Sequence, residues 1–273
     1  MQKYWLLSCM AGILYMSYHP DEGSRTFMNA WFPNDSIPVG IQKLLKAYPD
    51  HLVGATGNEI IWKDGSRMSY DDGKPYKTYI EIDTMPDLEE QVTCIDYTCG
   101  QIGLPPKDYD PGRFRHGPFF RKMYGSTSDQ VKQNLVAVSW LPSSENSKIL
   151  VTTINGVSEK IKAISLELDS MKHLRPYLSN IGGTFNWRKV AGSNQLSPHS
   201  YGIAIDINVK WSHYWQWDYP DWKSDPDMEV RYRNNIPFEI VAVFEKHGFI
   251  WGGKWYHYDT MHFEYRPELF VQI

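Results

Sequence analysis

The sequence has few cysteines, no long apolar run and no block of one charge. Its 273 residues include three cysteines, and 42% of the residues are hydrophobic while 22% are charged. The formal net charge of -4 is small, so we expect neither a nucleic acid nor an anionic membrane surface as a partner. The composition is typical of a folded globular protein with one large domain or two smaller ones. Nothing in it indicates an obligatory protein partner.

Several motifs that would assign a function directly are also absent. The sequence contains neither the G-x-S-x-G motif of serine hydrolases nor the H-E-x-x-H motif of many zinc peptidases. Cys94 and Cys99 lack the partners that a four-ligand zinc site needs, and they either form a disulfide after export or remain free thiols. No internal repeat is present. A function must therefore depend on a site built from other residue types.

The first residues combine one lysine with a short apolar run. Lys3 precedes a mostly apolar stretch from Tyr4 to Met16, after which the chain becomes polar. This pattern is typical of a secretory signal and is too short for a membrane-spanning helix. We therefore predict that residues 1–20 are a signal or anchor segment and that the protein is exported to the periplasm or cell envelope. Cleavage, lipid attachment at Cys9 and an uncleaved or wrongly assigned start remain alternatives.

The first half of the chain predicts a helix, a hairpin and a long loop. The helix begins at Ser36-Ile37-Pro38 and ends before Pro49, and residues 59–70 predict a β-hairpin. Residues 105–125 are rich in Pro, Gly, Arg and Asp, which predicts an ordered loop over the surface. Its basic residues either bind acidic groups of a polymer or lie in solvent beside Asp108 and Asp110. They are Arg113, Arg115, Arg121 and Lys122.

The second half mixes strands and helices without a repeating β-α-β order. Residues 202–209 predict a strand that alternates isoleucines on one face with Ala204, Asp206 and Asn208 on the other. The other predicted elements are strands at 135–141, 149–154, 184–187 and 261–265 and helices at 158–171 and 237–246. This mixture predicts the α+β class, with a small antiparallel sheet flanked by helices.

A histidine and an aspartate flank the start of the predicted strand at 202–209. His199 comes just before the strand, and Asp206 lies on its polar face. A carboxylate on a largely buried strand is costly unless a cation or a donor meets it. Zinc accepts His nitrogen and Asp oxygen, and a catalytic zinc needs a third protein ligand and one open position. His262 is a candidate for that ligand, and Asp259, three residues earlier, is then free to act as a base.

Taken together, these residues match the motifs of a known family. Residues 197–206 reproduce S-x-H-x-x-G-x-A-x-D, and residues 259–264 reproduce D-x-x-H-F-E. Residues 251–255 have the order W-G-G-x-W. In these three motifs the sequence resembles the M15 zinc metallopeptidases, which include D-Ala-D-Ala carboxypeptidases and L-Ala-D-Glu endopeptidases. The resemblance covers about residues 182–269.

The resemblance implies a fold, a cofactor and a substrate. It implies His199, Asp206 and His262 as ligands of Zn²⁺, Asp259 as general base, and a Hedgehog/DD-peptidase-like α+β fold. It also implies that the substrate is a peptidoglycan stem peptide, cut next to a D-amino acid. We therefore expect an M15-like peptidase domain at residues 133–273, preceded at residues 21–132 by an extension of uncertain role.

Further site residues follow from the resemblance and from their neighbours. Arg188 lies eleven residues before His199, where the family usually has a residue that reaches the substrate carbonyl; a structural salt bridge is the alternative. Ser197, Trp255 and His257 are expected substrate contacts, although Ser197 would equally suit a turn. His257 also competes with His262 for the third metal position. An aromatic group forms either a cleft wall or buried packing: Trp211, Tyr214, Trp215 and Trp217.

The bond that is cut remains open at this point. An Asp rather than a Glu at position 259 resembles the endopeptidase branch of the family. If Arg188 binds the developing oxyanion, a carboxylate-binding cation for a carboxypeptidase would have to be Lys189, Lys210 or Lys254. We therefore predict an L-Ala-D-Glu endopeptidase, with a D-Ala-D-Ala carboxypeptidase as the alternative. A non-catalytic zinc or wall-binding module and a purely structural envelope protein are the rival classes.

Overall fold

The structure is a computed structural model that describes residues 37–101, 103–191, 193–222 and 228–273. Residues from Ile37 to Ile273 form one unit by their contacts. The predicted signal or anchor segment and Cys9 lie outside the described residues, so the predictions made for them stay predictions. Within the described ranges, no helix has both the length and the apolar character that crossing a bilayer requires.

The first half contains a three-stranded sheet and short helices. The strands β1 (Leu52–Thr56), β2 (Glu59–Trp62) and β3 (Arg67–Ser69) pair antiparallel in that order. The predicted helix and hairpin are confirmed, whereas β1 had not been predicted. Cys94 and Cys99 are both free and exposed, in agreement with the thiol alternative. The helices are α1 (Val39–Ala47), α2 (Tyr79–Thr84), α3 (Leu88–Thr93), α4 (Gly117–Tyr124) and α5 (Ser128–Lys132).

The second half contains two further antiparallel sheets. One pairs β4 (Leu135–Trp140) with β5 (Ser147–Thr152). The other has the strand order β6-β7-β9-β8, formed by β6 (Ile181–Gly183), β7 (Ala204–Asn208), β8 (Phe249–Trp251) and β9 (His262–Tyr265). The α+β class with small antiparallel sheets flanked by helices is confirmed. The helices of this half are α6 (Val157–Ser170), α7 (Arg175–Leu178), α8 (Trp215–Asp218) and α9 (Phe238–Lys246).

The four-stranded sheet has one face in the core and the other at a cavity. Ile205 on β7 and Phe263 on β9 are register partners and are fully buried, and Phe244 of α9 stacks on Phe263 with ring centroids 3.9 Å apart. Because side chains alternate along a strand, the neighbouring register pair Asp206 and His262 lies on the opposite face. This face of the sheet carries the candidate site.

The strand predicted at residues 184–187 is wrong. The strand is β6, which ends at Gly183, where it pairs with Asp206 of β7. Beyond it, the backbone bonds to a turn instead of to the sheet: the N–H of Asn186 donates to the carbonyl of His199, and the N–H of Ser197 donates to the carbonyl of Arg188. Hydrogen bonds to this turn therefore replace the ladder that the sequence pattern had predicted.

The surface loop predicted at residues 105–125 is also wrong. The segment contains the helix α4, whose Phe119 and Phe120 are fully buried. Asp110 has no exposed surface, and Arg115 pairs with the buried Glu264. The content of Pro, Gly and charged residues suggested solvent exposure, but the helical spacing of the apolar side chains and the pairing of the charges allow burial.

Candidate active site

The strand register brings Asp206 and His262 together. They face each other across β7 and β9, and directly opposed residues on one face of an antiparallel pair have neighbouring side chains. His199 reaches the same place from a 3-10 turn, Pro198–Tyr201, that leads into β7. One ligand-type atom from each of the three residues lies within 4.8 Å of the others. The three residues predicted as metal ligands therefore form one cluster.

Hydrogen bonds fix the orientation of both imidazoles. Nδ1 of His199 is 2.6 Å from the carbonyl oxygen of Thr184, which accepts its proton and leaves Nε2 for the cluster. Nε2 of His262 faces the carboxylate of Glu264 at 3.4 Å, which leaves Nδ1 for the cluster. The two free nitrogens lie 3.1 and 3.0 Å from the same Asp206 oxygen. Such orienting partners are typical of histidines that bind metals.

The donor set of this cluster fits zinc. Two imidazole nitrogens and one carboxylate oxygen converge, and each offers a lone pair when the imidazoles are neutral, so a cation or ring protons must lie between them. Two His and one carboxylate are a ligand set of catalytic zinc sites that keep a position open for water. His199, Asp206 and His262 would hold the ion.

Burial and charge oppose each other at the cluster. Burial acts to raise the pKa of Asp206, but the two neighbouring histidines outweigh it and hold this pKa well below its usual range. Burial acts to lower the pKa of His262, whereas the carboxylates of Asp206 and Glu264 raise it to about 9. The site therefore has a strong attraction for positive charge.

Acidic groups elsewhere in the chain do not offer an equivalent site. Among the described residues, two further groups have metal-like spacing: Asp71, Asp72 and Asp87 form one, and Asp87, Glu89 and Glu90 form the other. The Lys77 ammonium lies 3.0 Å from Asp72, 3.3 Å from Asp87 and 2.6 Å from Glu90. A protein cation thus already balances the carboxylates of Asp72, Asp87 and Glu90, so each group has at least one member held by Lys77.

The turn that carries His199 depends on a serine and a glycine. Ser197 is buried and its Oγ accepts the N–H of His199 at 3.4 Å, so it caps the turn, as the turn-forming alternative proposed. Gly202 ends the turn with φ 67°, where a Cβ would lie 2.6 Å from Leu135 and 3.0 Å from the backbone N of Thr152. The glycine of the first motif is therefore required by close packing as well as by its left-handed conformation.

A second turn places Asp259 beside the cluster. The N–H of Asp259 donates to the carbonyl of Gly252 at 3.0 Å, and the N–H of His262 donates to the carbonyl of Asp259 at 3.2 Å. Trp251 also holds this turn, because its Nε1–H donates to the carbonyl of Thr260. A Cβ on Gly252 would lie 2.6 Å from the backbone carbonyl oxygen of Asp259. The W-G-G-x-W motif therefore supports the turn that carries the predicted base.

The carboxylate of Asp259 has an unusual environment. Its Oδ1 is buried and has no hydrogen-bond partner among the described residues. Burial and the nearby negative charge of Asp206 raise the pKa of Asp259 to about 6. A buried carboxylate oxygen without a partner costs free energy, so its presence here favours a use other than stability.

These residues line one large cavity. It has a volume of about 980 Å³, and its walls include all three residues of the cluster as well as Asp259. Arg188, Ser197, Trp255 and His257, the other predicted site residues, also line it. The structure thus brings all of them to a single cleft, although their chemical roles stay predictions.

Arg188 and Trp255 contribute different surfaces to this cavity. The Arg188 side chain is exposed and makes no ion pair with a described residue; Nη1 bonds to the neighbouring Lys189 carbonyl at 3.4 Å. The structural salt bridge that was the alternative for Arg188 is therefore not formed with any residue that the structure describes. Trp255 is 4% exposed, and its indole N–H donates to the Pro111 carbonyl. Its ring centroid lies 5.8 Å from that of His262.

The hydrogen-bond partners of His257 argue against it as a metal ligand, and those of Glu264 argue against it as the general base. Nδ1 of His257 is 2.7 Å from Asp110, and His257 does not belong to the metal-like cluster. Glu264 is fully buried and accepts two hydrogen bonds from Nε of Arg115, at 2.8 and 2.9 Å. This pairing makes Glu264 a poor substitute for Asp259 as a base.

The aromatic residues after β7 divide between the cavity and the core. Tyr214, Trp215 and Trp217 line the cavity, and Trp217 is 59% exposed. Trp211 instead packs against Tyr177, with ring centroids 5.3 Å apart. Three members of this aromatic group therefore form part of the cleft wall, and the fourth belongs to the packing beside it.

The lysines considered for carboxylate binding lie elsewhere. Lys254 is 2% exposed and pairs with Glu245, and Lys189 bonds to Asn194 at 3.0 Å. Lys210 lies over the ring of Trp211. None of the three is among the described residues that line the cavity.

The first half of the chain supplies a cavity wall that the motifs did not reveal. Tyr79, Asp83, Lys107 and Arg113 line the cavity together with the motif residues. Nε of Arg113 bonds to Asp83 at 3.1 Å, and Nη1 donates to the carbonyl of His257 at 3.3 Å. No motif marks these positions in the sequence, because their placement depends on contacts between distant segments.

Comparison with known proteins identifies the segment that carries the cluster. Residues 191–265 match the M15 peptidase family model that is described as D-alanyl-D-alanine carboxypeptidase. This match, over residues 191–265, called here the M15 segment, supports a peptidase of the M15 family. No match to a curated protein or to a solved structure accompanies this one.

The M15 segment contains His199, Asp206, Asp259 and His262, whereas Arg188 lies just before it. The match to the family model supports, in general terms, a D-Ala peptidase related to peptidoglycan. The predicted domain boundaries stay predictions.

The ion pair between Arg115 and Glu264 joins the first half to the M15 segment. We expect Arg115→Ala to lower the free energy of unfolding by up to about 3 kcal/mol, because the buried Glu264 carboxylate loses its closest cation. It keeps only longer contacts, with His262 at 3.4 Å and Arg266 at 3.7 Å. Arg67→Ala is the matched control, since its pair with Glu59 is exposed and worth at most about 1 kcal/mol. Urea denaturation of both variants measures the difference. Equal losses would show that the buried pair adds no more stability than the exposed one.

Proposed function

We propose that the protein is a zinc-dependent peptidase that hydrolyses peptidoglycan stem peptides next to D-amino acids. The observation that carries this proposal is the position of Asp259, a partly buried carboxylate whose Oδ1 is enclosed without a partner among the described residues. It lies in the same cavity as the three-ligand cluster. A metal site without turnover has no use for such a group. This argues against the non-catalytic binding module, and the convergent lone pairs argue against a purely structural protein.

The chemistry follows from the placement of these residues. When bound, zinc supplies an acidic water and an electrophile for the scissile carbonyl. Asp259 accepts the proton of the attacking water and returns it to the leaving amine. The Arg188 guanidinium, which makes no ion pair with a described residue, stabilises the negative charge that develops on the carbonyl oxygen. His199, Asp206 and His262 hold the ion.

We propose the L-Ala-D-Glu bond as the bond that is cut. The cavity of about 980 Å³ is large for a terminal dipeptide and suits a longer peptide. Arg113 and Arg115 line it, but both are paired with carboxylates, Asp83 and Glu264 respectively. Within the described part of the chain this leaves Arg188 and Lys107 as cavity cations without such a partner, and the mechanism assigns Arg188 to the oxyanion.

D-Ala-D-Ala carboxypeptidase activity is the second candidate. The description of the matching family model favours it, and so does the free guanidinium of Arg188, which would suit a terminal carboxylate. Either activity requires contact with the cell wall. We therefore propose a location in the periplasm or cell envelope, which the apolar run at residues 4–16 supports.

Digestion of purified muropeptides distinguishes the two candidates. We expect mass spectrometry to show release of a peptide that begins with D-Glu, because an endopeptidase admits peptide on both sides of the metal. The matched control is the same digestion with Asp259→Asn protein. Loss of a terminal D-Ala alone would establish the carboxypeptidase, and an unchanged muropeptide profile with zinc-loaded protein would contradict both.

A further inference from the structure

A buried aspartate from the first half of the chain holds the ring and the backbone of His257. Asp110 has no exposed surface. Its Oδ1 accepts the backbone N–H of His257 at 3.0 Å, and its Oδ2 lies 2.7 Å from the ring nitrogen Nδ1. Both oxygens of one carboxylate therefore act on the same residue, which is 147 positions away in the chain.

The surroundings of Asp110 leave it little freedom. The Tyr79 hydroxyl donates to Oδ2 of Asp110, and its oxygen also lies 3.0 Å from Nδ1 of His257. Arg113 lies 3.8 Å from Oδ2 of Asp110. Burial acts to raise the pKa of Asp110, but the hydrogen bond from His257 and the charge of Arg113 outweigh it and lower this pKa. The carboxylate is thus an acceptor for the imidazole rather than a donor to it.

An acceptor at Nδ1 determines which nitrogen of His257 faces the cavity. The carboxylate binds the proton on Nδ1, so Nε2 is the nitrogen left for other partners. Within the ranges that the structure describes, no protein atom forms a hydrogen bond with Nε2, while the His257 side chain lines the cavity. The ring also packs edge-on against Trp215, with centroids 4.7 Å apart.

We propose that Asp110 is a positioning residue that holds His257 so that Nε2 contacts the bound peptide. His257 lies two positions before the base Asp259 and lines the same cavity. The aspartate lies outside the matched segment 191–265, so the first half of the chain completes the substrate-binding wall of the M15 segment. The contact with peptide rests on the proposed function, whereas the state of the imidazole does not.

Nitrogen NMR of the histidine side chains tests the state of the ring without any activity. In the full-length wild-type protein, with His257 assigned by its loss in His257→Gln, we expect a proton on Nδ1. In Asp110→Asn, the amide oxygen remains with the backbone N–H and the amide NH₂ faces Nδ1, so we expect the proton to move to Nε2. A wild-type ring without a proton on Nδ1 overturns the proposal, however the variant folds.

Kinetics on muropeptides test whether the ring acts on substrate. We expect Asp110→Asn to retain its zinc and to lose about 10- to 100-fold in kcat/KM, the range typical of groups that orient a functional histidine. In a His257→Ala background the same substitution should change kcat/KM by less than about twofold, because the ring through which it acts is gone. An equal loss in both backgrounds overturns the proposal.

Asp169→Asn is the matched control for the removal of a buried carboxylate. Asp169 is 5% exposed, accepts hydrogen bonds from Ser143 and Ser144, and is not among the described residues that line the cavity. We expect it to lower stability while leaving kcat/KM and the His257 ring unchanged. A comparable kinetic loss in this variant shows a general effect of destabilisation and overturns the specific role of Asp110.

Discussion

We expect His199→Ala to lose both zinc and hydrolytic activity. Three protein ligands hold a catalytic zinc, and His199 is the one whose Nδ1–H is fixed by the Thr184 carbonyl so that Nε2 is directed at Asp206. Two remaining ligands do not keep the ion through purification. Elemental analysis should show about one equivalent of zinc in wild-type protein and close to none in the variant.

Two other histidines provide the controls for this result. His173 is 63% exposed and pairs with Glu239 at the surface, so His173→Ala should keep both metal and activity. His257→Ala should keep the metal, because Asp110 and not the cluster binds its Nδ1. A His199→Ala protein that retains one equivalent of zinc would remove His199 from the ligand set. Full activity in metal-free wild-type protein would end the zinc proposal itself.

We expect Asp259→Asn to keep zinc and to lose turnover. The amide has nearly the same size and polarity, but it does not accept a proton from water as a carboxylate does, so we expect the rate to fall by ~10²-fold or more. Metal content should stay at the wild-type value, because Asp259 is not one of the three clustered ligands. Steady-state kinetics together with elemental analysis measure both quantities on the same preparation.

An exposed aspartate serves as the control for this substitution. The Asp129 side chain is 92% exposed and forms only a surface pair with Lys132. Asp129→Asn should therefore leave the rate unchanged. If Asp259→Asn hydrolyses muropeptides at the wild-type rate, the base lies elsewhere, and Glu264 is then an unfavourable choice because Arg115 already binds its carboxylate.

Much of the fold near the site follows from short-range patterns. The alternation of isoleucine with smaller and polar residues at 203–208 predicts β7 and the face on which Asp206 lies, and the structure has both. The motif at residues 259–264 similarly leads to β9 with His262 at its start. These elements could be predicted because a strand's side-chain alternation is a property of the local chain.

Local patterns failed where hydrogen bonds or packing came from distant segments. Residues 184–187 have a strand-like composition, but their backbone bonds to the turn at 197–200. Residues 105–125 have the composition of a surface loop, but Asp110 and Arg115 are enclosed by partners in the second half. In both cases tertiary contacts outweighed the local preference.

The sequence by itself determined the α+β class, the main strands and the set of residues that could bind a metal. Each of these follows from a periodicity or a motif whose residues are close together in the chain. Only the tertiary structure decided that the set closes into one cluster, since the register of β7 against β9 joins positions 56 residues apart. It also decided that Arg115 meets Glu264 across 149 positions and that Asp110 meets His257 across 147. A buried charge requires a partner, but its chemistry alone does not specify which distant residue will supply it.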